Sequence, residues 1–505
     1  MVNSRLPALP AEHLDAGRSF SLPSHPPTRL KGNLQAETSP DPYHQIFREL
    51  NHPPVVSCVE ARTVAERNGL RLPAAYARSA RVKPVDVIRS RDRAAVLNLL
   101  GVLLSFGAVT NNQAAEFTGH AAFADPRSRI VADMFRSDLL ALSPAHLDYG
   151  IGSVGHGAAI YKIASRAQVS ALHKFLTYAE WLALTGCRPL PTGPVHVRHD
   201  VLAAELALRS ARLLEVAAVL GPHFCTLADI TSASPFGGEL RGGPDLTIVR
   251  QDGLRIAVEL TATIGQRFDK KVERWARVLT ENHFDDSGLV VLFLAAPSIE
   301  DLRERGDHVR RSILRAVDRA ARNHLGSSRS RTAERMGVAT WREWFPDSLI
   351  ATERFSRFSV LRPTGRDPRW ETCDLLSMPA PNTSTDLSRA RRLVAINATL
   401  LAQTPASLRH LERPGDLNTD LLRQAAGPAP TVAPLRDRSS TRLPGMGQGA
   451  ASDTYLPERL LGTSSEPRTS HQLVTTEARH PRDWERPWFV ARRPITRRRK
   501  PEDRT

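Results

Sequence analysis

The chain has 505 residues, of which 41% are hydrophobic and 37 are proline, and its formal net charge is +16. This length is sufficient for two or three domains with sizeable cores, and the excess of basic residues favours a polyanionic partner such as nucleic acid. The four cysteines include no Cys-x-x-Cys pair, so the sequence indicates neither a disulfide framework nor a zinc site.

The N-terminus and the apolar runs predict a cytoplasmic protein without a membrane segment. Residues 1–20 mix charges with prolines and lack the apolar stretch of a signal peptide. The longest apolar runs, at 94–109 and 288–297, are shorter than the roughly 20 residues that span a bilayer.

Composition and periodicity divide the chain into zones. The first is rich in Pro, Ser and His, with short helices predicted near 42–50 and 61–67, and the last is rich in Pro, Arg and Ser and ends in Arg497-Arg498-Arg499-Lys500. The zones are a largely disordered segment at 1–85, a first folded domain at 86–166, a linker with a helix at 167–195, a second folded domain at 196–361, and a disordered basic tail at 378–505.

The first folded domain has the element order of a winged helix-turn-helix. Apolar residues fall on one face of a predicted helix over 91–106. A capping box, Thr110-Asn-Asn-Gln113, begins a short second helix, and Asp125-Pro126 begins a third that runs to about Leu140. Two strand-like runs, at 147–149 and 158–163, enclose a Gly-rich connection and predict the wing hairpin.

We expect the third helix of this domain to enter the major groove of DNA, as the recognition helix of such domains does. Two alternatives stay open, because winged helices also mediate protein–protein contacts and exposed arginines often form only a solvated face. The candidate DNA-binding residues are Arg127, Arg129 and Arg136 on the third helix, with Asn111 and Asn112 at the start of the second.

The second folded domain predicts the order helix, three strands, helix, strand. This is the core order of restriction-endonuclease-like folds of the PD-(D/E)xK type, so the expected fold class is α/β in the broad α+β sense. The first helix is predicted over 199–220, the strands near 223–230, 245–249 and 254–261, the second helix over 267–281 and the last strand over 288–296.

Asp245 and Glu259 are candidate catalytic residues and ligands of Mg²⁺. If the loop between their strands is the three residues at 251–253, the two residues lie opposite each other with Cβ atoms about 5 Å apart. A two-residue loop would place them on opposite faces of the sheet. Carboxylate oxygens suit Mg²⁺, and Glu205 from the first helix is the predicted third ligand.

The lysine of the PD-(D/E)xK motif is missing, because Thr261 stands at its position. Lys270 or Lys271 on the next helix could reach back and act as the catalytic lysine; both could equally be ordinary surface residues. With such a lysine, a metal-activated water would attack a phosphate. Without it, the domain would bind DNA and not cut it.

Two other patterns near this core carry less weight. His196 and His199 precede the first helix, but no Cys or third His accompanies them, so zinc is not predicted. A helix predicted over 299–324 carries seven arginines offset by five acidic residues. That balance favours ion pairs on a solvated face over a phosphate-binding surface.

These motifs together resemble the replication-relaxation family encoded on plasmids and integrative elements. The resemblance covers about 89–344 and implies a role in plasmid replication, DNA relaxation or mobilisation, with double-stranded DNA and other replication or mobilisation proteins as partners. In that family the position two after the glutamate is often acidic, and Thr261 departs from this pattern. The residues that carry the resemblance are Ile160-Tyr161-Lys162-Ile163, His199, Pro244-Asp245, Val258-Glu259-Leu260, Thr263 and Lys271.

Two main hypotheses follow from the sequence. In the first, the protein is a DNA-binding protein of a mobile element that nicks DNA with Mg²⁺. In the second, it is a non-catalytic DNA-binding regulator or replication accessory factor with a degenerate nuclease fold. A partner-binding protein without a DNA function is a third hypothesis, and salt-dependent DNA binding would separate it from the other two.

Overall fold

The computed structural model shows a mixed fold of helices and β-sheets with one large mixed sheet. In the part of the chain that the structure describes, no helix is both long and apolar enough to cross a bilayer. The described residues are 19–21, 43, 47, 55–69, 71–77, 82–143, 159–176, 184–185, 190, 196–214, 216, 218–231, 242–250, 254–324, 330–346, 350–364 and 369–379.

The helices range from 4 to 17 residues in length. They are α1 (Cys58–Arg67), α2 (Ala74–Ala77), α3 (Pro84–Ile88), α4 (Arg93–Phe106), α5 (Asn111–Thr118), α6 (Arg129–Arg136), α7 (Arg166–Ala171), α8 (Val197–Leu213), α9 (Leu227–Ile230), α10 (Phe268–Glu281), α11 (Phe284–Ser287), α12 (Ile299–Arg305), α13 (His308–Asn323), α14 (Trp341–Trp344) and α15 (Glu353–Arg357).

The strands form a seven-stranded sheet of order β12-β11-β9-β8-β7-β6-β5, a three-stranded sheet of order β2-β4-β3, and a pairing of β1 with β10. They are β1 (Ser19–Ser21), β2 (Ala108–Thr110), β3 (Leu140–Leu142), β4 (Ile160–Ile163), β5 (Ala218–Leu220), β6 (Leu246–Val249), β7 (Arg255–Thr261), β8 (Leu289–Ala295), β9 (Met336–Thr340), β10 (Ile350–Thr352), β11 (Ser359–Thr364) and β12 (Arg369–Asp374).

The centre of the large sheet is parallel and both of its faces are covered. Strands β7, β8 and β9 run parallel, whereas β5, β6 and β7 form an antiparallel meander. Every residue of β7 and β8 is buried, as expected for strands with helices on both sides. Helix α8 packs on one face, and α10 and α13 pack on the other. The predicted order of helix, three strands, helix and strand is found in α8, β5, β6, β7, α10 and β8.

Several predicted boundaries shift in this region. The first strand is Ala218–Leu220, whereas the stretch predicted as a strand forms a 3₁₀ turn and α9. The helix predicted over 299–324 is two helices, because Gly306 adopts a left-handed φ of 56° after α12. Beyond 361, strands β11 and β12 extend the sheet further than the predicted end of the domain.

The smaller sheet belongs to a helical layer with the order α4, β2, α5, α6, β3, β4. Strand β3 occupies Leu140–Leu142, where the sequence predicts the end of the third helix, because α6 already ends at Arg136. The strand predicted at 147–149 and the Gly-rich connection after it lie outside the described residues. The capping box at Thr110 and Gln113 is confirmed, because each side chain accepts a hydrogen bond from the other's backbone N–H.

Part of the segment at 1–85, which the sequence predicts as largely disordered with a short helix near 61–67, forms helices in the residues that the structure describes. Helices α1 and α2 and the start of α3 lie in this range, and Val56 forms a β-bridge with Leu142. The Tyr76 ring packs edge-on against Phe135 of α6 at 5.1 Å between centroids. Scattered apolar residues of this segment therefore cover the helix that the sequence predicts as the recognition helix. The predicted basic tail lies outside the described residues, apart from its first positions.

The two predicted folded domains share one hydrophobic core. A single cluster of buried side chains joins α4 and α5 to α8 and to one face of the large sheet. Gln113 on α5 also donates to the Val201 carbonyl of α8 at 2.9 Å. Helix α8 is thus the element through which the helical layer is fixed to the sheet.

Candidate functional site

The candidate site lies at the carboxyl end of β7, where the chain brings Asp245 and Glu259 together. Strands β6 and β7 pair with Leu246 opposite Val258, the register that a three-residue loop at 251–253 produces, so the predicted register is confirmed. The loop itself lies outside the described residues. Asp245 directly precedes β6, and its backbone N–H donates to the Val258 carbonyl at 2.9 Å.

Glu259 is fully buried and is held by two side chains of α10. Lys271 forms an ion pair with Glu259 Oε2, and the Trp275 indole Nε1 donates to Oε1 at 2.5 Å. Burial raises the pKa of Glu259 to about 7, against the lowering influence of Lys271. For Lys271, burial opposes the charged form, but the carboxylate of Glu259 outweighs it and raises the lysine pKa.

Asp245 is held by the backbone of β7 and by a side chain of α8. Its Oδ2 accepts the backbone N–H of Leu260 at 2.8 Å and lies 3.2 Å from Nε2 of His199 on α8. The same imidazole nitrogen lies 2.8 Å from the Leu260 carbonyl oxygen. Burial favours the neutral form of Asp245, but His199 and Lys271 outweigh it and lower the pKa of the carboxyl. Burial also opposes the charge on His199, and Asp245 outweighs it, raising the imidazole pKa to about 9.

A third acidic residue, Asp200, lies behind His199 at the junction with the helical layer. Its carboxylate lies against Gly107, at the end of α4, where an added Cβ would be 2.6 Å from Oδ2. Burial raises the pKa of Asp200 to about 8, and the negative charge of Asp245 adds to this effect, whereas His199 and Lys162 oppose it. Burial therefore favours the protonated form of this carboxyl.

Glu205 is not part of this site, and its predicted role as a metal ligand is corrected. It is completely buried between α8 and the helical layer, where Arg209 Nε donates to Oε1 at 2.7 Å. Tyr43 and Gln113 donate to Oε2. Glu205 lies six residues, about 9 Å, beyond His199 along α8, which carries it away from His199 and the carboxyl end of β7.

Of the two candidate lysines, only Lys271 reaches the site. Lys270 is exposed and lines an open groove between α10 and α13 together with Arg274 and Arg319. The difference follows from helix geometry, because adjacent residues point about 100° apart. The predicted catalytic role of Lys270 is therefore not compatible with its position. Thr261 is buried at the end of β7, and the structure gives it no role in neutralising either carboxylate.

The donor set fits a divalent cation only as a two-carboxylate site. Mg²⁺ is commonly held by one or two carboxylates and several waters, and the anion of buried Glu259 would gain from a nearby cation. Among the residues that the structure describes, no three His, Cys, Asp or Glu side chains form a metal-ligating group. The predicted three-carboxylate arrangement is therefore absent, and Asp245 and Glu259 are the candidate ligands.

The predicted DNA-binding residues divide by exposure. Arg127 and Arg129 are exposed at the start of α6, and Asp133 lies 3.7 Å from Arg129 in an ion pair. Arg136 is buried and pairs with Asp133 at 3.2 Å, so its predicted contact with DNA is corrected.

The two predicted asparagines also differ. Asn111 is buried, donates to the Ala124 carbonyl at 2.6 Å and accepts the Ala159 N–H at 2.9 Å, so it is a structural residue and its predicted DNA-binding role is corrected. Asn112 is half-buried.

Sequence reasoning missed Trp275 and Asp200 as parts of this constellation. The spacing of Trp275 four residues after Lys271 was the available signal, because residues at i and i+4 share one face of a helix. Asp200 gave no such signal, since its surroundings come from Gly107 and Lys162 in the other layer.

The comparisons with known proteins add no relative to this picture. No family model, no curated protein and no solved structure matches the chain. The functional conclusion therefore rests on the geometry of the site.

Proposed function

We propose that the protein binds double-stranded DNA and breaks a phosphodiester bond of one strand at Asp245, Glu259 and Lys271, with a divalent cation as cofactor. The observation that carries this proposal is the convergence of those three side chains at the carboxyl end of β7. The element order of a restriction-endonuclease-like core supports it. The resemblance of the sequence to the replication-relaxation family supports a role in the replication, relaxation or mobilisation of a plasmid or integrative element.

The proposed DNA contact has its own support in the helical layer. The order α4, β2, α5, α6, β3, β4 and the sheet order β2-β4-β3 are those expected of a winged helix-turn-helix. Arg127 and Arg129 project at the N-terminal end of α6, the end from which a recognition helix contacts base edges. The net charge of +16 favours a polyanionic partner.

Each residue has a distinct part in the proposed cleavage. Asp245 and Glu259 would hold the cation, and His199 and Trp275 contact these carboxylates and would keep them in place. A cation held there would supply a water of lowered pKa and would polarise the phosphate. Lys271 neutralises negative charge that develops on the phosphate. The hydroxyl of water bonds to phosphorus, the bond to one bridging oxygen breaks, and that oxygen leaves as a hydroxyl with the remaining proton of the water.

Adjacent lysines provide a matched test of this proposal. Supercoiled plasmid is incubated with the full chain and Mg²⁺ or Mn²⁺, and conversion to open circles is measured. We expect Lys271→Met and Glu259→Gln to lower the nicking rate at least about 100-fold, the scale of losing one electrostatic stabiliser. Lys270→Met removes the same charge from the same helix outside the site and should retain nearly full activity. Equal activities of the two lysine variants would overturn the proposed catalytic role.

A second candidate function is DNA binding without cleavage. It is favoured by the hydrogen bonds and ion pairs that already surround both carboxylates: Lys271 and Trp275 at Glu259, and the Leu260 N–H and His199 at Asp245. In that case the plasmid stays supercoiled in either metal, whereas DNA affinity still falls steeply with salt. The nicking assay and the salt dependence of DNA binding therefore separate the two functions.

A further inference from the structure

A cleft opens at the carboxyl ends of β8 and β9, beside the candidate site. Arg310 on α13, Arg198 on α8 and Thr340 at the end of β9 line it, and most of its other lining residues are apolar, Ile299, Leu302 and Trp341 among them. Its volume is about 30 Å³, and roughly 10–15 Å³ of such volume is enough to hold one water molecule. The cleft could therefore admit a single oxygen of a larger group that stays outside.

Two polar groups of this cleft are buried without a partner. Arg310 is only 9% exposed, and its Nη2 makes no hydrogen bond within the described part of the protein. The hydroxyl of Thr340 is likewise buried and has no partner among the described residues. Buried charges and hydroxyls are normally paired, because leaving them unpaired is unfavourable. Both groups can donate hydrogen bonds, and an anionic oxygen that reached them would supply the missing acceptor.

The charge of the cleft supports an anionic ligand. Arg198, Arg310 and Arg342 line it, against a single carboxylate, that of Asp307. Nη1 of Arg198 donates to the Ala296 carbonyl at 3.1 Å, which fixes this guanidinium at the rim. Arg342 is exposed in the first turn of α14, two residues after Thr340 ends β9.

The cleft lies in line with the carboxylate site across the sheet. Ala295 on β8 is paired with Thr261 on one side and with Thr340 on the other. Thr261 follows Glu259 by two residues on β7. Since neighbouring strands are about 4.8 Å apart, the cleft is roughly 10 Å from the end of β7. A single nucleic acid strand can span this distance with one phosphate at each place.

We propose that Arg310 and Thr340 form a second phosphate-binding subsite, which holds a backbone phosphate of the nucleic acid next to the phosphate at Glu259. This inference rests on the proposed function and extends it, because it assigns a path for the strand across the ends of β7, β8 and β9. The arginines of this helix pair were predicted to form a solvated face; Arg310 departs from that prediction by being buried and unpaired.

Arg310 and its neighbour Arg311 allow a matched experiment. Arg311 is exposed on the same helix, so Arg310→Met and Arg311→Met remove the same charge, but only the first changes the cleft. The thermal unfolding midpoint is measured without divalent cations, in chloride and in inorganic phosphate of equal ionic strength. We expect phosphate to raise the midpoint of the wild-type protein and of Arg311→Met. In Arg310→Met the rise should be lost, and the midpoint in chloride should be higher than that of the wild type because an unpaired buried charge is gone.

A second arm separates free phosphate from nucleic acid. Binding of a short duplex to the full chain is measured over a series of salt concentrations. We expect Arg310→Met to reduce the slope of log K against log salt by about 0.9, the value for one phosphate contact, and Arg311→Met to change it less. Thr340→Val should weaken binding of both probes without changing the net charge.

The outcomes distinguish this inference from the proposed function. Equal behaviour of Arg310→Met and Arg311→Met with both probes overturns the subsite. Arg310→Met can also abolish the stabilisation by inorganic phosphate and leave duplex binding unchanged. That result overturns the role of Arg310 in strand binding and indicates a site for free phosphate. If the wild-type protein does not nick the plasmid but Arg310→Met still changes the salt dependence of duplex binding, the proposed cleavage is rejected and the subsite is retained.

Discussion

Lys271 on α10 forms an ion pair with Glu259 on β7 and so supplies a positive charge that the strand itself lacks. The strand position two residues after Glu259 holds Thr261, whose short neutral side chain cannot neutralise a carboxylate. The same turn of α10 also brings the Trp275 indole to Glu259. The helix thus supplies the positive charge beside Glu259 that the strand position of Thr261 does not.

The pH dependence of folding stability should report the burial of Glu259. Its pKa is about 7 in the folded protein, compared with 4.5 for an exposed glutamate. The folded state therefore binds this proton more tightly, and the glutamate's contribution to stability falls as pH rises from 4.5 to 7. The free energy of unfolding of Glu259→Gln, relative to that of the wild type, should therefore rise by roughly 1.4 kcal/mol for each pH unit in that window and stay constant above it.

Urea unfolding of both proteins at several pH values measures this difference. Glu281→Gln, which removes an exposed carboxylate at the end of the same helix, controls for the change in net charge. A difference between wild type and Glu259→Gln that stays constant from pH 5 to pH 8 would show that Lys271 fully stabilises the carboxylate in the folded protein.

The buried pair of Glu205 and Arg209 should be much more sensitive to mutation than an exposed pair. Both side chains are at most 1% exposed, and Tyr43 also donates to Glu205. Glu205→Gln leaves the Arg209 charge buried without its counter-ion and should lower the free energy of unfolding by about 3 kcal/mol. Asp269→Asn breaks the exposed pair with Arg319 and should cost less than about 1 kcal/mol.

Chemical denaturation of both variants measures these costs, and the nicking assay adds a second criterion. Since Glu205 lies away from the carboxyl end of β7, folded Glu205→Gln should keep the metal dependence of the wild type. If Glu205→Gln instead lost the metal dependence of nicking while its stability stayed unchanged, Glu205 would be a metal ligand after all.

Gly107 should be intolerant of any side chain. Its φ of 81° is unfavourable for other residues, and an added Cβ would lie 2.6 Å from Asp200 Oδ2. Gly107→Ala should therefore destabilise the protein by about 1–3 kcal/mol more than Gly69→Ala. Gly69 also has a positive φ, of 63°, but has nothing within 4 Å of the added Cβ. Equal costs for the two variants in urea unfolding would mean that Asp200 moves freely away from Gly107.

Much of the central sheet could be predicted from the sequence because its signals are local. The apolar runs of β7 and β8 and the amphipathic pattern of α10 each lie within one segment, and the loop length between β6 and β7 fixes the pairing of Asp245 with Glu259. The choice between Lys270 and Lys271 also has a local signal, although the sequence analysis left it open. It depends on which face of α10 packs on the sheet, and the buried positions Val272 and Trp275 decide it.

The errors in the prediction concern contacts between distant segments. Glu205 is a carboxylate on the right helix, yet its partners Tyr43 and Gln113 come from segments that the sequence treats as separate. Arg136 has the composition of a DNA-binding residue but is buried beside Asp133, because segments N-terminal to α4 cover α6. Neither contact leaves a periodic signal, so neither could be predicted from one sequence.

The exposed arginines at the start of α6 should carry much of the DNA affinity of the helical layer. Replacing Arg127 and Arg129 together by Ala removes two cationic side chains and should lower the slope of log K against log salt by about 1.8, if each contacts one phosphate. Fluorescence anisotropy with a labelled duplex at several salt concentrations measures the slope. The matched control replaces Arg303 and Arg305, which are exposed in the last turn of α12, and should change the slope much less. Equal slopes for the two double variants would mean that DNA senses only the net charge of the protein, and α6 would then have no specific role in binding.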